Sequence, residues 1–436
     1  MKESGIDWIG QIPQEWEVIK FKYLGDVKQG LTYSPSDIVD KDEGILVLRS
    51  GNIQNGVLDF TNNVYVKTKV AESIVLRKND ILITARNGSS ALIGKNAIID
   101  TDIKATFGAF MMVFRTNKSL IAKFAFYLMN ISFNFYRTFF TTSTVNQLTA
   151  AIFNGIEVPL PSISEQQKIA DFLDKKTAQL DKVKSLLEEQ IQKLKDYRAS
   201  LIYETVTKGL DKTVPMKDSG INWIGEVPEG WGVSKLKFIL EKGSNSIKVG
   251  PFGSSLSGDA IRSSGKWVYN QRNVLDNNFT ETDFYISEAK CKELKNFSVS
   301  SGDILLTTRG TIGRVAIVPK KYCEGIIHPC LMKFKVDSKI VLPELIKYLF
   351  NDIPLVREQL NFLSNSTTID VIYSYNLKNI IIPIIPIEEQ YSTLEVLDRQ
   401  TSDVDSLIKI KQKHIENINK QRQTLIYDYV TGKRRV

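Results

Sequence analysis

Residues 164–207 read SEQQKIADFLDKKTAQLDKVKSLLEEQIQKLKDYRASLIYETVT, and this stretch decides the fold. Leu173, Leu180, Leu187, Leu194 and Leu201 stand seven apart, with Val183 and Tyr197 at the expected intervening positions. An apolar residue at every seventh position keeps one stripe of a helix turned toward a partner helix, so the spacing predicts a coiled-coil face. Ser164 and Gln167 have capping-box spacing just after Pro159 and Pro161, and Gly209 stands where a helix would end. At about 1.5 Å per residue such a helix is on the order of 60 Å long. Its stripe needs a partner, and residues 388–430 supply one. There Leu397, Val404, Ile418 and Leu425 take the places of Leu173, Leu180, Leu194 and Leu201, and Leu407 joins the seam. Lys411 replaces Leu187 and His414 replaces Gln190, polar positions that fix register at some cost in stability.

Outward from the helices, the chain is written twice. Lys2 to Tyr23, KESGIDWIGQIPQEWEVIKFKY, aligns without gaps with Lys217 to Phe238, KDSGINWIGEVPEGWGVSKLKF. Trp8, Pro13 and Trp16 recur as Trp223, Pro228 and Trp231, and Asn79–Arg86 is echoed by Gly302–Arg309. Gly94-Lys95 returns as Gly313-Arg314, Glu165-Gln166 as Glu389-Gln390, and Arg198-x-x-Leu-Ile-Tyr203 as Arg422-x-x-Leu-Ile-Tyr427. The interiors differ: 25–78 shares little with 240–300, and 115–150 shares little with 335–375. Short β-rich runs (44–48, 80–84, 109–114, then 266–269, 303–307, 332–336) are punctuated by Gly, Asn and Ser, with helical stretches near 120–130 and 342–350. The expected fold is α+β: two similar mixed α/β modules joined by two long antiparallel coiled-coil helices, an internal pseudo-twofold repeat. The boundaries read from the sequence are 1–162, 163–212, 213–386 and 387–436.

Bulk properties narrow the class. The chain of 436 residues is 42% hydrophobic and 24% charged, which suits a folded protein of two or more domains. A net charge of +8 fits a polyanionic partner. There is no run of eighteen apolar residues and no apolar signal region after Met1, so the expectation is a cytoplasmic protein with no membrane association. Three cysteines, Cys291, Cys323 and Cys330, are too few for a disulfide framework.

Polar loops carry the candidate chemistry. Arg, Asn and Gln make bidentate hydrogen bonds to purine edges in the major groove, and Ser and Thr reach phosphates. The candidate DNA contacts in the first module are Arg49, Asn52, Arg86, Asn87, Thr144, Asn146 and Gln147. In the second they are Ser254, Ser255, Asn270, Gln271, Arg272, Arg309, Thr311, Ser366 and Thr367. Catalytic motifs are missing. Gly88 to Gly94-Lys95 is one residue too long for a phosphate-cradling loop, and Ala260 to Gly265-Lys266 lacks the first glycine. No Asn/Asp-Pro-Pro-Tyr/Phe run is present, and Glu288-Ala-Lys290 only loosely mimics a nuclease pattern. The spacing of Cys323, His328 and Cys330 is not that of a zinc finger, so no metal site is assigned.

With these residues in view, the chain resembles the specificity (S) subunit of type I restriction–modification enzymes. The resemblance rests on the twin Trp-Ile-Gly-x-x-Pro-x-x-Trp module starts and on Thr-x-Arg followed by Gly-Lys/Arg. It also rests on Pro159-x-Pro-Ser-Ile-Ser-Glu-Gln-Gln-Lys-Ile-Ala-Asp-Phe-Leu-Asp174 and on Gly250-Pro-Phe-Gly-Ser254. The chain departs at Pro386–Glu395, which lacks the Ile-Ala pair, and in the first module, which lacks a Gly-Pro-Phe-Gly turn. The resemblance implies a non-catalytic, sequence-specific DNA reader whose two target-recognition domains each contact half of a bipartite, asymmetric site. It implies docking of two modification (M) subunits and of restriction (R) subunits, with S-adenosylmethionine, ATP and Mg2+ on those partners and no cofactor on this chain. The alternatives are a DNA methyltransferase or nuclease with an unrecognised active site, and a coiled-coil interaction protein whose modules do not bind DNA.

Overall fold

The computed structural model describes every residue except 141–145, 244–245, 253–254 and 364–370, so Thr144, Ser254, Ser366 and Thr367 lie outside the described residues. Four helices frame it: α1 (Ala122–Tyr136), α2 (Ile163–Lys208), α3 (Pro343–Asn351) and α4 (Ile387–Val430). The chain divides into two compact units, 1–188 with 412–436, and 189–411, so each unit takes part of both long helices.

In the first unit an antiparallel sheet runs in the order Asn96–Ile98, Ile81–Thr84, Met111–Thr116, Gly25–Gln29. Side chains alternate across a strand, and here both faces are covered. Ile81, Ile83, Met112 and Phe114 enter one core with α1, while Leu82, Met111 and Val113 enter another. That explains an uninterrupted apolar run where a half-buried strand would alternate. The second core is closed by Ala105–Phe107, which pairs in parallel with Ile45–Leu48. Asp80, at the start of the central strand, is buried and holds Arg115 through two hydrogen bonds (2.8 and 2.7 Å).

The second unit repeats the order with Val315–Ile317, Ile304–Thr307, Leu331–Phe334 and Ile247–Val249. Ile304, Leu306, Met332 and Phe334 face the core shared with α3, and Leu305 and Leu331 face the other. Asp303 takes the place of Asp80 and pairs with Lys333 (2.9 Å).

Each long helix is anchored to a unit by a matched set of side chains. Gln166 is fully buried; its amide accepts from Ile121 N (2.8 Å) and donates to Ser119 O and Pro161 O (3.0 Å each). Gln390 does the same with Leu342 N, Ile340 O and Ile385 O (2.7, 2.7 and 2.8 Å). Trp16 Nε1 donates to Glu165 and Trp231 Nε1 to Glu389, both at 3.0 Å. Tyr127 donates to Asp174 and meets Thr177, as Tyr348 does with Asp398 and Thr401. Burial and the neighbouring carboxylate push the Tyr348 hydroxyl up to about 12, so it remains a donor. The far ends match too. Gly209 and Gly432 adopt φ of +71° and +72°, and a Cβ there would press on Trp231 and on Pro13 and Trp16 respectively.

The helices run antiparallel within each unit: Asp181 pairs with Arg422 (3.4 Å) in the first, Arg198 with Asp405 (3.0 Å) and Gln190 with Lys411 (2.7 Å) in the second. Leu173 and Leu397 are fully buried, Val404 is buried, and Leu180, Leu187, Leu194, Leu201, Ile418 and Leu425 are half-buried. Val183, Tyr197 and Leu407 are off this seam, with 47%, 56% and 47% of their surface exposed. A leucine stripe can be completed by the residue three or four further on. The chain uses four, at Thr177, Lys184, Ile191 and Arg198, because Gln166, Ala170 and Thr177 are already committed to the unit beneath. His414 is likewise exposed. At the start of α2 the cap is Ser162, whose hydroxyl accepts from Glu165 N (3.3 Å), and not Ser164.

Gln166→Leu keeps the volume but strands one buried N–H and two carbonyls, so a loss of about 2–4 kcal/mol is expected in urea unfolding. The exposed neighbour change Gln167→Leu should fall within about 0.5 kcal/mol of the parent.

Candidate nucleic-acid interface

Where the central strand of the first unit ends, the chain turns out into solvent. Ala85 N and Arg86 N both donate to Phe110 O (2.9 and 3.0 Å), and Leu148 N donates to Ala85 O (2.8 Å). This clamps together the loops carrying Arg86, Phe110 and Asn146. Between them and the 31–38 segment lies an open cleft of about 1000 Å³ lined by Arg49, Arg86, Asn87 and Asn146, with Tyr33 and Phe110 among its walls. Four residues chosen from three separate loops of the sequence are therefore brought to one place. Arg86 is exposed, and its guanidinium lies 5.6 Å from the centre of the Phe110 ring. Asn87 Oδ1 accepts from Ser89 N (3.0 Å) and Asn146 Nδ2 donates to Gly88 O (3.0 Å), so these amides also brace the loop. Gln147 is tied through its backbone as a bridge to Arg86.

Asn52 departs from its expected role. It is 1% exposed, and its amide donates to Asp59 O (2.9 Å) while its oxygen accepts from Arg49 N (2.9 Å). It shapes the loop from inside and reaches no ligand. Lys95 stands behind the cleft, donating to Ser50 O (3.3 Å); burial pushes its pKa down, and no carboxylate among the described residues pairs with it.

The second unit builds the same turn with other residues. Thr308 N donates to Cys330 O (2.9 Å) and Ile372 N to Thr308 O (3.1 Å), placing exposed Arg309 where Arg86 stands. The adjoining cleft, about 350 Å³, is lined by Asn270, Gln271 and Arg272 together with Asp276, Asp283 and His328. Two expected contacts are otherwise engaged. Gln271 donates to Arg309 O (3.0 Å) and accepts from Thr311 N (2.8 Å), which braces the arginine loop. Arg272 forms ion pairs with Asp276 (3.5 Å) and Asp283 (3.3 Å), so its charge is matched locally. Asn270 caps a short helix by accepting from Arg272 N (2.8 Å). Ser255 is half-buried and does not line this cleft.

His328 Nδ1 lies 3.0 Å from Cys330 Sγ. Burial, with Arg309 adding, lowers the imidazole pKa, and burial raises that of the thiol. The pair is therefore neutral, unlike the thiolate–imidazolium pair of a cysteine nucleophile. Among the described residues no group of three or more His, Cys, Asp or Glu is placed to hold a metal ion, and no helix is long and apolar enough to cross a membrane.

Sequence reasoning missed Phe110 and Tyr33. The run 109–114 reads as a strand in which Phe110 would be buried in step with Met112 and Phe114. The strand instead begins at Met111, and Phe110 is 62% exposed. Gly30 was missed as well: a Cβ there would lie 2.2 Å from Gly108 O, as one at Gly250 would lie 2.3 Å from His328 O. Gly30-Leu31 is thus the first unit's version of the Gly250-Pro251 turn, unrecognised because only the glycine is shared.

Comparisons with known proteins bear on the family and the fold. The family described as the type I restriction modification DNA specificity domain matches residues 13–195 and 228–420. The EcoKI specificity subunit of Escherichia coli K12 is 24% identical over 428 residues, covering 96% of this chain and 89% of that one. The putative MjaX specificity subunit of Methanocaldococcus jannaschii is 27% identical over 444 residues, covering 98% and 96%. A solved chain from a study of type I R-M complex assembly and conformational transition superposes with a TM-score of 0.70 at 16% identity, covering 97% of this chain and all of that one. The HsdS subunit of Thermoanaerobacter tengcongensis gives 0.50 at 15% identity, over the whole of both chains.

Lys95→Met should raise the urea midpoint at neutral pH while weakening binding to duplex DNA. Because the folded-state pKa of Lys95 is lowered, its ammonium opposes folding while it is charged, and the stability gap between variant and parent should close as pH climbs into the lysine range.

Proposed function

The chain belongs to the type I restriction–modification DNA specificity family, and on that premise we propose that it reads a bipartite, asymmetric DNA site without catalysing any reaction itself. Each unit contacts one half-site through its cleft and the arginine-bearing loop beside it. One observation carries this reading: the same backbone clamp presents Arg86 in one unit and Arg309 in the other, while the cleft walls beside them differ. A common scaffold with unlike walls is what two different half-sites require. Arg49, Arg86, Asn87 and Asn146 are the proposed contacts in the first unit, and Asn270, Arg309 and Thr311 in the second.

Two modification subunits dock on the long helices, bind S-adenosylmethionine and methylate an adenine that they take out of the duplex. Restriction subunits add ATP- and Mg2+-dependent steps, and the assembly acts on DNA in the cytoplasm. Docking of two copies is supported by paired exposed apolar residues. Val183 and Leu186, ten and thirteen residues past Leu173, are 47% and 48% exposed; Leu407 and Ile410, at the same steps past Leu397, are 47% and 52% exposed. Similar apolar surfaces presented twice suit one partner bound twice.

Mapping adenine methylation in the genome with and without this gene tests the function: one bipartite motif should vanish, and an unchanged map would reject the reading. Val183→Asp with Leu186→Asp should reduce bound modification subunits from two to one by native mass spectrometry, and adding Leu407→Asp with Ile410→Asp should remove the second. Retention of both would refute the docking assignment.

A further inference from the structure

The proposed function leaves open what chemistry the first cleft selects, and Phe110 bears on it. Phe110 is 62% exposed and stands on the wall of the first cleft. Its carbonyl is held by two amides, which fix the backbone of the turn that carries the ring. The Arg86 guanidinium lies 5.6 Å from the centre of the ring. Among the described residues no carboxylate pairs with Arg86, whereas Arg272 at the other cleft is tied to two. Arg86 is thus an exposed, unneutralised fork with an apolar plate beside it. Cys330 occupies the place of Phe110 in the second unit, so the plate belongs to one half of the protein.

A guanidinium fork matches the two acceptors on the major-groove edge of guanine, and an apolar ring matches the 5-methyl group of thymine. Resting on each other, the two side chains lose little freedom on binding. We infer that Arg86 and Phe110 act as one reading element that selects a guanine with a thymine beside it in the half-site of the first unit. The inference rests on the DNA-reading function proposed above and adds the base step that this unit recognises.

The full chain with its modification subunit, expressed in a host free of adenine methylation, first yields the motif by methylation sequencing. Duplexes carrying that motif are then made with each thymine replaced singly by deoxyuridine and each guanine by 7-deazaguanine, and their binding is measured. One deoxyuridine should weaken binding about fourfold, the effect of one buried methyl group, and an adjacent 7-deazaguanine about tenfold. The first loss should disappear in Phe110→Ala and the second in Arg86→Met, because each variant lacks the group that reads the deleted atom. Arg86→Lys keeps the charge without the fork and should not restore the guanine effect. Restoration by lysine, a deoxyuridine loss that persists in Phe110→Ala, or a motif with no adjacent guanine and thymine would overturn the inference while leaving the wider function intact. A wild-type complex that methylates no defined motif would instead reject the function on which it rests.

Discussion

The structure depends on a side-chain amide buried at the head of each long helix. Gln166 and Gln390 each satisfy one N–H and two carbonyls that belong to the unit beneath, in places where no water reaches. A buried amide with all three partners is worth little more than its hydrogen bonds. Missing one partner costs considerably more, so the geometry is specified rather than merely favoured. With the glutamine placed, the azimuth of the helix is fixed, and with it the face that meets the partner helix. Thr177 and Thr401 then fall on the buried side, within reach of Tyr127 and Tyr348. An apolar stripe alone leaves that azimuth free; the polar anchor chooses it.

The same division of labour runs through both units. Residues that hold the frame are polar, buried and repeated: Asp80 and Asp303 under the central strands, Asn52 and Asn273 inside the first loop, Trp16 and Trp231 on the helix carboxylates. Residues that face the clefts are not repeated, apart from the arginine at the strand end. Frame positions tolerate little because each buries polar groups whose hydrogen-bond partners are already in place. The turn at the strand end is bonded through backbone carbonyls, so Phe110 can stand where Cys330 stands without disturbing it.

Much of the frame was legible in the sequence because it is written in local patterns: sevenfold leucine spacing, β-branched runs bounded by turn residues, and a duplicated Trp-Pro-Trp start. Arg49, Arg86, Asn87 and Asn146 could be picked from loops by residue type, although nothing in the spacing says that they share one cleft. The errors have a common cause. Asn52 and Gln271 look like surface readers because Asn and Gln read bases well, yet they serve equally well to satisfy backbone groups inside a loop, and only tertiary structure decides between the two. Val183 and Leu407 look like seam residues because three-residue and four-residue steps fit a leucine stripe equally. Phe110 was hidden by a one-residue difference in where a strand begins: it falls on the turn before the strand and is exposed, while Met112 and Phe114 are buried.

Exposure itself can be sorted by the repeat, and this separates two kinds of surface. Val183 and Leu407, Leu186 and Ile410, and Tyr23 and Phe238 are large apolar residues left in water at repeat-equivalent positions; the last pair even shares a lysine over the ring, Lys22 and Lys237. Each exposure lowers solubility without aiding the fold, and two halves whose interiors have diverged so far had ample opportunity to lose it. Its presence on both sides fits a partner that meets both halves in the same way. Phe110 and Phe252 are exposed on one side only. Phe110 lines the cleft of the first unit, and an unpaired exposure of that kind fits a ligand that presents different chemistry to each half. Repeat-equivalent and unrepeated exposures are thus two kinds of surface, and the repeat tells them apart without any knowledge of the partners.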